Sequence, residues 1–192
     1  MKKIVVINGH PDKESFSYSL SASYIKGAKK TGVEIKKINI RALKFNPNLQ
    51  FGYRKRTALE PDLLEAQAKL KWADHLVWVY PVWWSSVPAI MKGFLDRVLL
   101  PGFAFKKREN SLFCDKCFTG KTARIICTID QPAWYYRMVT KSPSSFAMKK
   151  GTLNFIGVKK VKITTIGPIR LSTIQFREKW LKKVEKLGER NK

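Results

Sequence analysis

Three stretches of this 192-residue chain carry side chains suited to holding a flat, anionic ligand. The first runs Asn8-Gly9-His10-Pro11-Asp12-Lys13-Glu14-Ser15-Phe16-Ser17-Tyr18-Ser19. Its hydroxyls at 15, 17 and 19 surround a predicted helix start. The N–H groups there are unsatisfied and carry partial positive charge, which suits a phosphate. An ordinary serine N-cap would leave the same pattern, and a lone His10 is as readily a structural hydrogen-bonder. The stretch has neither the G-x-G-x-x-G spacing nor a Walker loop's G-K-S/T ending. The second stretch is Tyr80-Pro81-Val82-Trp83-Trp84-Ser85-Ser86-Val87-Pro88. Two adjacent tryptophans after a strand cannot both enter the core. They can wall a planar heterocycle while loop N–H groups meet its polar edge, or pack on a neighbouring subunit. The third, Thr128-Ile129-Asp130-Gln131-Pro132-Ala133-Trp134-Tyr135-Tyr136-Arg137, adds another aromatic cluster, and a surface loop with a dimer contact would read the same way.

The elements that must position these stretches follow from periodicity. Lys3–Ile7 is a short β-branched run and predicts a buried strand. Ser15 to about Lys30 places Phe16, Leu20, Tyr24 and Ala28 on one helical face, and Gly32 follows it. Val33–Ile40 predicts a second strand, and Arg41–Leu59 a long loop. Pro61 suits a first helical position, with Leu63, Ala66, Leu70 and Ala73 as the inward stripe. His75–Tyr80 predicts a third strand. Pro88–Leu99 predicts a helix with Ile90, Phe94, Leu95 and Val98 inward. Strands over Thr122–Ile129 and Val158–Ile166 follow. A last helix over Thr173–Leu187 carries Trp180, Val184 and Leu187. The alternation predicts one α/β domain over residues 1–192, with a five-stranded parallel sheet in the order 2-1-3-4-5. In that topology ligands sit beyond the C-terminal strand ends, where the three unusual stretches fall.

Composition narrows the function classes. Hydrophobic residues at 44% and aromatics at 12% exclude a disordered chain. The near-apolar run Leu76–Trp84 is far short of the ~20 residues of a membrane span. Ile4–Ile7 after two lysines is too short for a signal sequence, so the chain is expected in the cytoplasm. A net charge of +24 attracts polyanions. The runs Arg54-Lys55-Arg56, Lys106-Lys107-Arg108, Lys159-Lys160 and Lys182-Lys183 are scattered and match no nucleic-acid module. They read as a solvated basic face or as a peripheral contact with an anionic membrane. Cys114 and Cys117 form a lone C-x-x-C in an expected loop. With Cys127 in a predicted buried strand, no metal site is expected.

His10-Pro11 followed by Ser15-Phe16-Ser17 resembles the phosphate loop of the flavodoxin-like NAD(P)H:quinone oxidoreductases. The long run from Pro81 through Val98, then Pro101-Gly102-Phe103-Ala104-Phe105, resembles that family's central signature. The resemblance extends from the N-terminus to about residue 166. It implies a flavodoxin-like three-layer sandwich, a bound FAD or FMN, NADPH or NADH as co-substrate, a quinone-like acceptor and a homodimer. By position, His10, Ser15, Phe16 and Ser17 match phosphate and ribityl contacts. Pro81, Val82, Trp83, Trp84 and Ser85 match the loop along the isoalloxazine, and Thr128, Ile129 and Asp130 match the third flavin loop. Tyr136 falls near the family's substrate-pocket tyrosine, which implies a catalytic polar group. No histidine follows it, so no Tyr/His proton relay is implied. The better-known members carry a Thr-Thr-Gly-Gly-like third loop, which this chain lacks. Some relatives are accessory subunits of potassium-efflux systems, which gives an alternative role. A flavodoxin-type electron carrier and a nucleic-acid binder complete the alternatives; no specific nucleic acid is expected.

Overall fold

The computed structural model describes residues 1–191. Five parallel strands, β1 (Lys3–Asn8), β2 (Glu34–Asn39), β3 (His75–Pro81), β6 (Thr122–Thr128) and β7 (Lys160–Ile166), form a sheet in the order β2-β1-β3-β6-β7. This is the expected 2-1-3-4-5 order, interrupted by a small antiparallel hairpin of β4 (Phe105–Lys107) and β5 (Cys114–Lys116). The central strands are apolar throughout because both sheet faces are covered. Val5 and Ile7 of β1, with Leu76, Trp78 and Tyr80 of β3, face one core. Ile4 and Val6, with Val77 and Val79, face the other.

Helices α2 (Pro61–Trp72) and α3 (Ala89–Val98) pack on the first face. Helices α1 (Phe16–Lys29) and α7 (Ile174–Glu189) pack on the second, completing the three-layer sandwich. Within α3, Met91 is fully buried and Ile90 only partly so, which rotates the inward face from the predicted one. The third aromatic stretch, read as a surface loop, is instead helical. It forms α4 (Ala133–Met138), then α5 (Pro143–Phe146), a π-helical segment Ala147–Leu153 and α6 (Asn154–Ile156). Met148, Leu153 and Ile156 complete the first core, a tertiary demand that overrides weak local propensity. The C-x-x-C does not lie in a plain loop either: Cys114 opens β5.

The loop between β2 and α2 is pinned from below. Arg97 of α3 is almost wholly buried. It reaches Glu60 at 2.7 Å and donates to the carbonyl oxygens of Asn46 and Ala58 at 2.5 and 2.8 Å. Helices α1 and α7 approach closely because glycines face the contact. A Cβ on Gly27 would lie 1.9 Å from the Glu185 carbonyl oxygen, and one on Gly188 would lie 2.1 Å from that of Tyr24.

Gly188→Ala should therefore cost about 1–3 kcal/mol or more. Calorimetry should show Tm falling by about 2–4 °C for each kcal/mol. A second expectation concerns His75, buried at the start of β3 with Nδ1 2.7 Å from Thr122 Oγ1. Burial first, then the charges of Lys2, Arg124 and Lys162, push its pKa down from 6.5 to about 3. Between those values the unfolded chain holds a proton that the folded chain does not. Stability should thus fall as pH drops through that window, by up to roughly 1.4 kcal/mol per unit. His75→Gln should flatten this part of the Tm–pH curve.

Candidate functional site

The three stretches meet at the C-terminal edge of the sheet because β1, β3 and β6 are adjacent and parallel. Asn8, the buried last residue of β1, builds the first loop. Its Nδ2 donates to the Ser17 carbonyl oxygen at 3.1 Å and to Ser21 Oγ at 2.8 Å, while its Oδ1 accepts from the His10 N–H at 2.9 Å. The Gly9 N–H donates to the Val79 carbonyl oxygen and ties the loop to β3. Beyond it, His10 Nδ1 accepts from the Asp12 N–H at 3.0 Å. That bond places the ring proton on Nε2. Burial, partly opposed by Asp12, holds the imidazole pKa below its ordinary value. Arg41 Nε donates to the Pro11 carbonyl oxygen at 2.7 Å and steadies the outer side.

The second loop closes on itself. The Trp83 N–H donates to the Ser86 carbonyl oxygen at 3.0 Å, and the Ser86 N–H returns a bond at 2.8 Å. Between them Trp84 and Ser85 both take positive φ, 48° and 57°, the backbone of a tight primed turn. Trp84 is consequently thrown wholly into solvent, whereas Trp83 stays against His10, edge to face at 5.5 Å. The Val82 N–H donates to the Thr128 carbonyl oxygen at 2.8 Å, joining the second and third loops. These bonds narrow one expectation, which covered the N–H groups of the whole loop. The Val82 and Trp83 amides are already engaged inside the protein, so they do not stand ready for a ligand's polar edge.

A groove of about 150 Å³ opens between the loops, lined by His10, Phe16, Ser17, Pro81, Val82, Trp83, Thr128, Ile129, Asp130 and Ile169. Nine of these ten were expected from the sequence. Ile169 was not, though it follows the C-terminal end of β7 and so falls where this topology puts ligand loops. Its N–H donates to the Ile129 carbonyl oxygen at 3.0 Å. Asp130 Oδ1 accepts from the Arg170 N–H at 3.1 Å, which makes that carboxylate a brace between the loops. Arg177 of α7 was also missed. Its guanidinium lies 5.7 Å from the Phe16 ring, and its Nη2 donates to the Ile169 carbonyl oxygen at 3.3 Å.

The groove fits an anionic ligand at one end. Ser15 is the N-cap of α1, yet its side chain makes no cap bond, and no acidic residue occupies the first turn. The hydroxyls of Ser15 and Ser17 are buried and have no hydrogen-bond partner among the described residues. A buried hydroxyl left unpaired costs on the order of 1–3 kcal/mol, so partners for these two are favoured. Phosphate oxygens would supply them beside the positive helix end. Ser15, Trp84 and Ser85 stand next to the groove without lining it.

Tyr136, the expected catalytic residue, does not line this groove. Its ring is buried, and its hydroxyl accepts from the Ser145 N–H at 3.3 Å with Ser145 Oγ 3.5 Å away. Burial raises its pKa. It belongs to a polar knot in which Cys127 Sγ lies 3.5 Å from Ser145 Oγ and donates to Thr165 Oγ1 at 3.7 Å. The short α4 and the turn to α5 close over this knot, with the Ser142 N–H bonded to the Tyr136 carbonyl oxygen at 2.8 Å. Among the described residues no group of His, Cys, Asp or Glu could hold a metal ion.

Comparison with known proteins agrees with this fold. Residues 2–190 match the model of Flavodoxin_2, described as a flavodoxin-like fold. The chain is 31% identical over 186 residues to mouse (Mus musculus) ribosyldihydronicotinamide dehydrogenase (quinone), covering 82% of this chain and 78% of that one. It is 30% identical over 125 residues to NAD(P)H dehydrogenase (quinone) 1 of Rattus norvegicus, covering 55% of this chain but only 46% of the rat protein. Among solved structures, Smu.1420 from Streptococcus mutans UA159 superposes with a TM-score of 0.85 at 28% identity, covering 98% of this chain and 99% of that one.

Asn8→Ala should cost about 1–3 kcal/mol, because the His10 N–H and the Ser21 hydroxyl lose a buried partner together. Denaturant unfolding should show the loss as a lower midpoint at unchanged slope.

Proposed function

The chain belongs to the Flavodoxin_2 family, and on that premise we propose that it is a flavin-dependent NAD(P)H oxidoreductase delivering two electrons to a quinone or similar electrophile. The observation that carries this reading is the groove, whose lining coincides with the positions that the quinone-reductase resemblance assigns to a flavin. Bound there, FAD or FMN would supply hydride acceptance from the nicotinamide and two-electron donation to the acceptor. The chain's own residues do the rest. The α1 N-terminus with the Ser15 and Ser17 hydroxyls binds the phosphate. The neutral His10 ring offers a donor at Nε2. Phe16, Pro81, Val82 and Trp83 form apolar walls that exclude water, and Thr128, Ile129 and Asp130 close the far side. Tyr136 positions the third loop through Ser145 and Cys127.

A homodimer is part of the proposal. Trp84, Trp134, Met138, Val139 and Phe146 are exposed on the loops and helices that follow β3 and β6. A second copy covering them would shield this edge from water.

The reading is tested by saturating the protein with FAD or FMN, desalting, and adding NADPH or NADH without oxygen. A retained flavin band that bleaches on nucleotide addition is expected. Ser17→Asp sets a carboxylate where the phosphate would lie and should abolish retention, with the fold of the variant checked by circular dichroism. Ser17→Ala should weaken binding about 10–100-fold. Tyr136→Phe should bleach at a rate within about twofold of the parent, since the hydroxyl it removes faces Ser145 and not the groove. A retained band that does not bleach points to an electron carrier, and no retained flavin overturns the site.

A further inference from the structure

The opposite end of the sheet, where the strands begin, holds a second polar cavity. It measures about 170 Å³ and is lined by Lys2, His75, Thr122, Lys160, Lys162 and Asn191. Strand register explains the grouping. His75, Thr122 and Lys160 are aligned across β3, β6 and β7, and Val77, Arg124 and Lys162 form the row two residues on. Side chains two apart share a face, so these residues stand with Ile4 and Val77 on the α1 and α7 side. Lys2 arrives from ahead of β1, and its Nζ donates to the Asn191 carbonyl oxygen at 2.7 Å, just past the end of α7.

The polar groups here are incompletely matched. His75 is almost wholly buried, with Nδ1 2.7 Å from Thr122 Oγ1. Its Nε2 is buried too and has no hydrogen-bond partner among the described residues, a costly state for a ring nitrogen. Burial first, then the charges of Lys2, Arg124 and Lys162, hold the ring neutral. Arg124 Nη1 donates to Thr164 Oγ1 at 2.7 Å. Lys2 meets the negative end of α7 through Asn191. Lys160 and Lys162 are exposed and have no ion-pair partner among the described residues. The acids at this end are committed. Asp74 accepts from the Lys3 N–H at 2.9 Å, and its charge partly offsets the lowering of the Lys2 pKa by burial. Glu185 and Glu189 of α7 pair with Lys26 and Lys30.

Lysines on an edge strand also discourage sheet extension, and β7 is an edge. That role accounts for the two lysines but for neither the cavity nor the unpartnered histidine nitrogen. No Phe, Tyr or Trp lines the cavity, so nothing there would stack a nucleotide base. The chemistry left is that of a small oxyanion.

We propose that this cavity binds a phosphate group, free or as a phosphomonoester, with Lys160 and Lys162 as counter-charges and His75 Nε2–H as a donor. The anion selects the tautomer in which the Thr122 hydroxyl donates to Nδ1 and the ring proton stands on Nε2. The site does not rest on the flavin reading, since it lies at the other end of the strands.

The chain has two histidines, and each reports one end of the sheet: His10 lines the groove and His75 this cavity. The test is a titration of the full chain, carrying nitrogen-labelled histidine, with inorganic phosphate at fixed pH and ionic strength. A saturable shift of the His75 ring signals is expected, whatever His10 does, with Nε2 protonated in the bound state. His75→Gln identifies which signals are which. Lys160→Gln with Lys162→Gln should weaken the His75 response roughly tenfold. Lys36→Gln with Lys37→Gln removes the same charge from the other edge strand and should leave it within about twofold. Glycerol phosphate separates the two sources: tighter binding than inorganic phosphate assigns the site to an ester, and weaker binding to the free ion. The proposal is overturned if neither compound shifts His75 saturably. Equal losses in the two lysine variants would also overturn it, as would the same shift with chloride at equal ionic strength.

Discussion

The site depends on one buried amide. Asn8 ends β1, and its side chain meets three partners that come from two directions: the His10 N–H ahead of it, and the Ser17 carbonyl and Ser21 hydroxyl of the first turns of α1. A strand that enters a helix through a seven-residue loop has many ways to make the turn. The amide selects one, because each alternative leaves a donor or acceptor unpaired in the core. The selected turn brings the α1 N-terminus over the sheet edge and sets His10 against Trp83. The unpaired hydroxyls of Ser15 and Ser17 follow from the same choice, since the helix start is fixed by Asn8 and the serine side chains are not needed to hold it.

The sheet supplies the second constraint. Parallel strands with right-handed crossovers send every loop after a strand to the same edge. The ties between those loops are main-chain bonds: Gly9 to Val79, Val82 to Thr128, Ile129 to Ile166 and Ile169 to Ile129. The groove is therefore walled by side chains on a backbone scaffold whose polar groups are largely satisfied from within. Affinity for a flat ligand would come from Phe16, Pro81, Val82 and Trp83 as surface. Orientation would come from the few polar atoms left over.

Sequence periodicity revealed the sandwich because its signals were local. Continuous β-branched runs can be buried on both faces only in a covered parallel sheet, and the stripes of α1 and α2 fell at helical spacing. The groove was legible for the same reason, since topology alone sends the residues after Ile7, Tyr80 and Ile129 to one edge. What stayed hidden depends on contacts distant in sequence. Residues 133–156 form helices because Met148, Leu153 and Ile156 find a core to fill, which no local pattern announces. Tyr136 matched the substrate-pocket tyrosine of the resembling family, yet its hydroxyl turns inward to Ser145. Ile169 and Arg177 joined the site through a loop after β7 and a helix nearly at the end of the chain. Arg97 shows itself as a clamp only once the loop of residues 46–60 has folded over it.

The turn at Trp84 and Ser85 carries the argument from fold to site. Positive φ at two consecutive residues other than glycine costs on the order of 1–3 kcal/mol each. Glycine or asparagine would relieve the strain at either position, so the chain keeps side chains there against its local preference. The turn is held by the paired bonds of Trp83 and Ser86, by the Val82 tie to Thr128, and by prolines at 81 and 88. Such bracing would be superfluous for a loop that only connects β3 to α3. Its effect is to separate two adjacent tryptophans, one turned into the groove against His10 and the other out to solvent. A relaxed loop would let both collapse onto the same apolar surface, closing the groove and removing the exposed indole at its rim. The strain thus holds the two indoles apart, with Trp83 lining the groove and Trp84 in solvent.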